Sequence, residues 1–393
     1  MSMKILFIHN HYSQRGGEGG VFLDEVDLLR KNGHQVVVYT RDNQEISEYS
    51  GVDNFGLILN THWSSHSYWE IKKLLDIEQP DIVHFHNTFP LISPSAYYAC
   101  KNSGVPVAQT IHNYRLICPS ALLLRNNQIC EECIGKTPPY PGIVHRCYRG
   151  SRVQTAIVAS MLSFHRLFQT WRNQVNAYIA LTDFSRRKLI EGGFPEDKMR
   201  LKPNFIPDPG FRSNYEDYIV FIGRLSEEKG VDTLLVALKD LPEIKLKIVG
   251  DGPQRQKIAQ YLLDHDMNQI KLVGSLVHSE VLECVKKAQF LVLPSKWYEG
   301  FPRVLVEAMA CGVPSVVSNI GSQQEIIINR YSGLHFEVNN PYHLAEIIAK
   351  LWNNPDLLER MGKNARIEYE KKYTPEENYN QLMDIYQFVL NTR

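Results

Sequence analysis

The sequence predicts an α/β protein made of two doubly wound parallel sheets, one per domain, facing a central cleft. Three observations predict it. Short apolar runs rich in Val and Ile alternate with amphipathic helical patterns along the whole chain, the mark of β-α-β crossovers between parallel strands. The alternation breaks once, at "FIPDPGFRSNYED" (205–217), and then restarts. Finally, 393 residues are many for one core and ample for two.

The first series opens with "KILFIHN" (4–10). It passes through the Gly-rich "QRGGEGG" (14–20) into the amphipathic "VFLDEVDLLRKNG", stops at Gly33 and resumes with "QVVVYT". This is a β-α-β unit with a Gly-rich first turn but without the GxGxxG dinucleotide fingerprint. "DIVHFHN", "PVAQTIHN", "AYIALT" and "RLKPN" carry the strands to residue 204. The first domain is therefore 1–204, with a Cys-rich insertion at 115–150. Two prolines and a glycine make 205–217 the linker. The second series, "YIVFIG", "KLKIVG", "IKLVG", "FLVLPS" and "PSVVS", fills a second domain at 218–373. A last amphipathic helix occupies 374–393, and its pattern does not say which domain it joins.

Composition excludes some partners. Forty-three basic residues balance 43 acidic ones, so no global charge argues for nucleic acid. The opening "MSMKILFIHN" has no basic flank and reads as a core strand, not a signal peptide. No apolar run approaches the roughly 18 residues of a membrane span. The expected location is cytoplasmic, where seven cysteines serve as thiols or metal ligands.

The most informative stretch is "PSKWYEGFPRVLVEAMACGVPSVVS" (294–318). Pro302 suits the first turn of a helix, Gly312 its stop, and Pro314 bars continuation, giving a helix over about 302–311. Glu299 then stands at the carboxyl end of the strand "FLVLPS", beside the free N–H groups of Gly300, Phe301 and Arg303. Glu307 lies about one turn inside the helix. Ligands of open α/β sheets bind at that edge. An anion suits the N–H groups, and sugar hydroxyls suit acceptor-only carboxylates. A plainer alternative pairs Glu307 with Arg303 on a solvated face. Arg224 and Lys229 follow "YIVFIG" and open on the same edge, where two cations and a helix N-terminus suit a diphosphate. The alternative for Lys229 is an ordinary pair with Glu227 or Glu228.

Together, "GRLSEEKG" (223–230), "VGDGP" (249–253), "EGFPRVLVEAMACGVPSVVS", "FIHNHYSQRGGEGG" and "TIHNY", in this order and spacing, resemble the retaining glycosyltransferases of family 4, whose architecture is the B-type pair of Rossmann-like domains. The resemblance spans nearly the whole chain and implies transfer of a sugar, with retention and without a catalytic metal, from a nucleotide diphosphate-sugar to a hydroxyl of a glycan or lipid-linked glycan. It implies that Glu307 holds the ribose and Glu299 the donor sugar, with Gly300 and Phe301 completing that pocket. It further implies that Arg224 and Lys229 carry the leaving group, that His112 faces the donor sugar from the first domain, and that Gly16 and Gly17 let the first loop approach phosphate or acceptor. Glu18 departs from the small residue commoner in that loop. An epimerase or phosphorylase of the same fold is one rival reading, and a catalytically silent nucleotide-sugar-binding module is another.

Three further signals stand apart. Cys118, Cys130, Cys133 and Cys147 are spaced C-x11-C-x2-C-x13-C inside an irregular segment, which suits a structural zinc; unlinked thiols and disulfides are the alternatives, and His145 is a substitute ligand. Asp264-x-Asp266 has the form of a metal-binding pair but sits at a helix end, as solvated turn residues do. Val153, Ile157, Met161, Phe164, Phe168 and Trp171 form a stripe flanked by Arg152, Arg166 and Arg172. Core packing is the expected use, and peripheral docking at an anionic inner membrane face is the alternative.

Overall fold

A computed structural model describes residues 2–12, 17–48 and 60–392. The chain divides into two compact units, Met1–Leu123 with Cys130–Asn204 and Asn378–Arg393, and Leu124–Ile129 with Phe205–Glu377. The first unit holds strands β1 (Lys4–His11), β2 (Gln35–Asp42), β3 (Ile82–Asn87), β4 (Val107–Ile111), β7 (Ala177–Ala180) and β8 (Met199–Leu201). They pair in the order β2-β1-β3-β4-β7-β8, all parallel. A small antiparallel hairpin, β5 (Leu124–Arg125) and β6 (Gln128–Ile129), belongs to the second unit. The second unit holds β9 (Ile219–Ile222), β10 (Leu246–Val249), β11 (Ile270–Gly274), β12 (Leu291–Leu293), β13 (Ser315–Ser318) and β14 (Gly333–Phe336), ordered β11-β10-β9-β12-β13-β14 and also parallel.

The strand runs are apolar on both faces because helices cover both. Ile5, Leu6, Phe7 and Ile8 are all fully buried, as strands of a doubly wound sheet must be. Each sheet reverses its strand order once. The reversals fall between β1 and β3 in the first unit and between β9 and β12 in the second, and such a switch point leaves a crevice beyond the strand ends.

The C-terminal helix Pro375–Asn391 lies in the first unit from Asn378 onward. Its Leu382, Ile385, Tyr386 and Val389 pack with Ile5, Phe7, Phe22 and Ile179. Segment 205–217 has no regular structure but is fastened to the second unit: the buried Arg212 donates to the carbonyls of Ala288 and Gln289 at 2.7 and 3.0 Å.

The stripe expected from Val153 to Trp171 is not one face of one helix, which corrects the core-packing reading. The helix Arg152–Leu167 buries Thr155, Val158, Ala159, Met161, Leu162 and His165 instead. Val153, Phe164, Leu167 and Phe168 are exposed, while Met161 and Trp171 are buried. A buried histidine turns the helix: His165 bonds Thr170 Oγ1 and the carbonyl of His62, both at 2.9 Å. Asp264 and Asp266 lie at an exposed helix end, Asp264 accepting from Gln260.

Candidate active site

In the second unit, chemistry gathers at the switch point. The loop after β9 returns as a single turn at Glu227–Lys229 and ends at Gly230, whose φ is +70°. A Cβ there would stand 2.0 Å from the carbonyl oxygen of Pro294, so only glycine lets this loop lie directly on the end of β12. The contact delivers Lys229 onto Glu299: its Nζ lies 2.8 Å from both carboxylate oxygens. Ser295 Oγ donates to Oε1 at 2.6 Å, and Ser322 Oγ donates to the Glu299 carbonyl. Glu299 is thus fixed at both its carboxylate and its backbone. Neither Glu227 nor Glu228 takes Lys229; Glu227 accepts from Gln254 and Glu228 from Ser226.

Arg224, two residues beyond β9, is exposed, and its guanidinium makes no hydrogen bond or ion pair with a described residue. Cationic capacity at this edge is therefore divided. Lys229 is committed to a carboxylate, and Arg224 is open.

The helix Arg303–Ala310, capped by Pro302, starts from the same edge. Phe301 packs edge-on against Tyr373 with ring centroids 6.1 Å apart, which anchors the Gly300-Phe301 turn. Glu307 is 7% exposed, and its Oε1 lies 3.9 Å from Nδ1 of His278 on the neighbouring helix His278–Lys287. Pattern alone does not reveal His278 because it belongs to an otherwise ordinary amphipathic helix.

The first unit presents a different switch point. Gly16 lies outside the described residues, and Gly17 opens the helix Gly17–Lys31. His112 directly follows β4, its Nε2 2.9 Å from His86 Nδ1 on β3, with the two rings stacked. His86 Nε2 in turn lies 3.4 Å from Glu25 Oε2. Glu25 Oε1 lies 2.5 Å from Lys202 Nζ, and both side chains are fully buried. His84 bonds Tyr386 Oη and Thr110 Oγ1 at 2.8 and 2.9 Å.

Burial disfavours charge on the rings of His112, His84 and His9. It holds His112 and His84 well below the usual histidine range and, with help from His86 and His11, lowers His9 to about 2. Burial alone would raise Glu25, but Lys202 and His86 outweigh it and hold the carboxyl well below its usual range. Glu18 goes the other way. Its Oε1 is sealed from solvent without a hydrogen-bond partner, and burial pushes it to about 8 against smaller opposing effects of Asn113 and Arg115.

Glu25, His84 and His86 offer ligand atoms within 4.8 Å of one another, a cluster of metal-ligand type among the described residues. Lys202 already supplies the cation that Glu25 needs, so the arrangement fits an ion pair and not a metal. The four insertion cysteines are not such a cluster, yet they fold toward one place. Cys133 Sγ lies 3.5 Å from where a Cβ on Gly142 would be, Pro119 beside Cys118 crowds the same point, and the Gly142 carbonyl accepts from the Cys147 N–H. None of the four is in a disulfide. Burial, then Cys118, Cys147 and Cys130, pushes the Cys133 thiol up to about 12.

Pattern reading overlooks Glu25, His86 and Lys202. The available signal is a carboxylate inside the apolar stripe "VFLDEVDLL" and a lysine in the strand "RLKPN", since charges in buried periodic positions are rarely unpaired.

The Glycosyltransferase Family 4 profile matches residues 15–208, and the Glycosyl transferases group 1 profile matches residues 205–368. An uncharacterized glycosyltransferase of Methanocaldococcus jannaschii is 27% identical over 378 residues, covering 95% of this chain and 94% of that one. Among solved structures, a Rickettsia africae glycosyltransferase superposes with TM-score 0.72 at 18% identity, covering the whole of both chains. Anabaena HepE, solved in complex with UDP and glucose, superposes with TM-score 0.68 at 16% identity over 98% of this chain and 99% of that one.

Proposed function

The chain belongs to glycosyltransferase family 4, a B-type glycosyltransferase, and from that premise we propose that it moves a sugar, with retention of configuration, from a nucleotide diphosphate-sugar to a hydroxyl of a glycan or lipid-linked glycan. The observation that carries this reading is the unequal use of two cations in the loop after β9, Lys229 held on Glu299 and Arg224 exposed. Lys229 and Ser295 hold the Glu299 carboxylate in one orientation, which suits acceptance of hydrogen bonds from the donor sugar's hydroxyls. Arg224, exposed and uncommitted, is suited to take two oxygens of the diphosphate. Gly300 and Phe301 add backbone N–H groups, Glu307 receives the ribose, and Gly16 and Gly17 allow the first loop's close approach. That a solved neighbour of this fold carries UDP and glucose supports a donor of this class.

Retention then follows from attack on the face that the diphosphate leaves, with a departing phosphate oxygen taking the acceptor's proton. The enzyme's part is to stabilise leaving-group charge and orient the acceptor. Arg224 and the positive helix end, with Lys229 shared between Glu299 and the diphosphate, supply the positive charge that a divalent ion would otherwise bring. The first unit, 1–204, serves as the acceptor side with His112 facing the sugar, and 218–373 as the nucleotide-sugar side. We assign the cysteines a structural zinc, which elemental analysis should find at about one per chain; zinc-free, fully stable protein would remove it.

The testing experiment incubates the protein with a panel of nucleotide sugars and measures nucleoside diphosphate release and product anomeric configuration. Arg224→Ala should lower turnover about a hundredfold or more, as loss of one preorganised charge contact does, and the wild-type rate should persist in chelator. Isomerised sugar nucleotide without release would indicate an epimerase, and binding without turnover a silent module.

A further inference from the structure

The chain of groups behind His112 runs Lys202, Glu25, His86, His112, and every link lies in the first unit. It joins β8, the helix Gly17–Lys31, β3 and the end of β4, with separations of 2.5, 3.4 and 2.9 Å. Hydrogen-bond logic fixes the protons along it. An ionised carboxylate only accepts, so the imidazole nitrogen that faces it carries hydrogen; a bare nitrogen there would set two lone pairs against each other. Lys202 already supplies Glu25 with a counter-charge, so the carboxylate needs from His86 only an N–H. A neutral His86 protonated at Nε2 has a lone pair at Nδ1, and the nitrogen 2.9 Å from it, Nε2 of His112, must donate.

We propose that Glu25 and His86 are positioning residues for His112. Paired with Lys202, the Glu25 carboxylate fixes the Nε2–H tautomer of His86. The Nδ1 of His86 then holds a proton on Nε2 of His112, so that His112 offers Nδ1 as a hydrogen-bond acceptor.

The observations fit one another. Glu25 Oε2 and His86 Nε2 are both sealed from solvent and neither meets hydrogen-bond geometry with any described atom, so their 3.4 Å contact is the one each has available to it. Nδ1 of His112 bonds no described residue and is not among the sealed atoms. Burial keeps the His112 ring neutral, so the tautomer, and not the charge, decides what that atom can do. An acceptor at Nδ1 selects a hydroxyl that donates, as a sugar does, and rejects a phosphate oxygen, which only accepts. This deepens the reading of His112 as a sugar contact, and it rests on that reading for its functional half.

The test reads the tautomer directly. Nitrogen-15 NMR on histidine-labelled whole protein, with the His112 signals assigned through His112→Gln, should show an Nε2–H, bare-Nδ1 ring in the wild type. In Lys202→Met the uncompensated carboxylate draws a proton onto His86. His86 Nδ1–H then donates to His112, whose proton moves to Nδ1, with kcat falling about tenfold or more and KM changing little. Where Lys202→Met fails to fold, the paired Glu25→Leu, Lys202→Met variant removes both charges, and the Nε2–H form of His112 should lose its dominance. A wild-type His112 protonated at Nδ1 overturns the relay, and an unchanged tautomer in the paired variant removes Glu25 from it. Full transfer activity in His112→Ala would overturn the sugar-contact reading while leaving the tautomer result standing, so the two failures are distinguishable.

Discussion

Each unit has a lysine–glutamate pair in its switch-point region, and the two pairs differ in one respect. Lys202–Glu25 is sealed, with both side chains 0% exposed, whereas Lys229–Glu299 retains exposures of 18% and 6%. A sealed pair cannot reach a ligand, so Lys202–Glu25 can act only through what it touches. The open pair stands at the switch point where solvent reaches it, and Arg224, two residues beyond β9, is exposed and unpaired with any described residue. Like chemistry at like places in two like sheets thus does different work, and solvent access decides which.

Removing one partner breaks the sealed pair most severely. Lys202→Met should destabilise the protein by about 3 kcal/mol or more, because it leaves a carboxylate buried and unpaired. Adding Glu25→Leu should recover most of that loss, since an apolar pair of similar volume has no charge to desolvate. Lys229→Met should cost clearly less in chemical denaturation, because water reaches Glu299, but it should depress turnover. Equal stability losses at the two pairs would erase the distinction.

Acid sharpens the same contrast. His9, His84 and His112 have folded-state pKa values below that of an unfolded histidine. Between pH 6.5 and those lower values the unfolded chain binds protons that the native state refuses, so stability is full above about pH 6.5 and is lost as pH falls below it. Glu25, also lowered, acts in the same direction from about pH 4.5 downward. Glu18 has the opposite sign: raised to about 8, it contributes most below about pH 4.5 and nothing above 8. Three histidines outnumber it. Hydrogen exchange at pH 5 against pH 7 should therefore show protection lost first in β1, β3 and β4, with β9 and β12 little changed; uniform loss across both sheets would contradict the assignment.

The smallest effect belongs to the surface. Phe168, exposed at 61%, should tolerate Phe168→Ser within about 0.5 kcal/mol. If the exposed apolar strip at Val153, Phe164, Leu167 and Phe168 docks on an anionic bilayer, as we propose for a lipid-linked acceptor, the same change should weaken vesicle sedimentation at low salt. Unaltered sedimentation would remove the membrane proposal. No helix among the described residues is long and apolar enough to cross a membrane.

What the sequence made legible follows from range. The helix start at Pro302 and its stop at Gly312 are local facts of backbone chemistry, and so they appear where pattern places them. The alternation of strands and helices is equally local, and two parallel sheets follow from it. Glu25 and Lys202 are 177 positions apart, and no periodicity connects them. The stripe at 153–171 misled because a hydrophobicity pattern gives no weight to His165, which is buried on the strength of two hydrogen bonds. Lys229 had nearer acidic neighbours in sequence, and only the glycine-permitted contact with Pro294 hands it to Glu299.

The C-terminal helix has a consequence for how this chain is made. Phe205–Glu377 is translated as one uninterrupted block, and the hairpin Leu124–Ile129 emerges earlier, so the second unit has all its residues before Asn378 is added. The first unit starts earlier but lacks Leu382, Tyr386 and Val389, together with the Tyr386 hydroxyl that meets His84, until those residues are added after the whole second unit. Its apolar floor therefore waits, uncovered, through the synthesis of everything else. The half that starts first is completed later, and a chain halted before Asn378 would carry a complete second unit joined to an incomplete first.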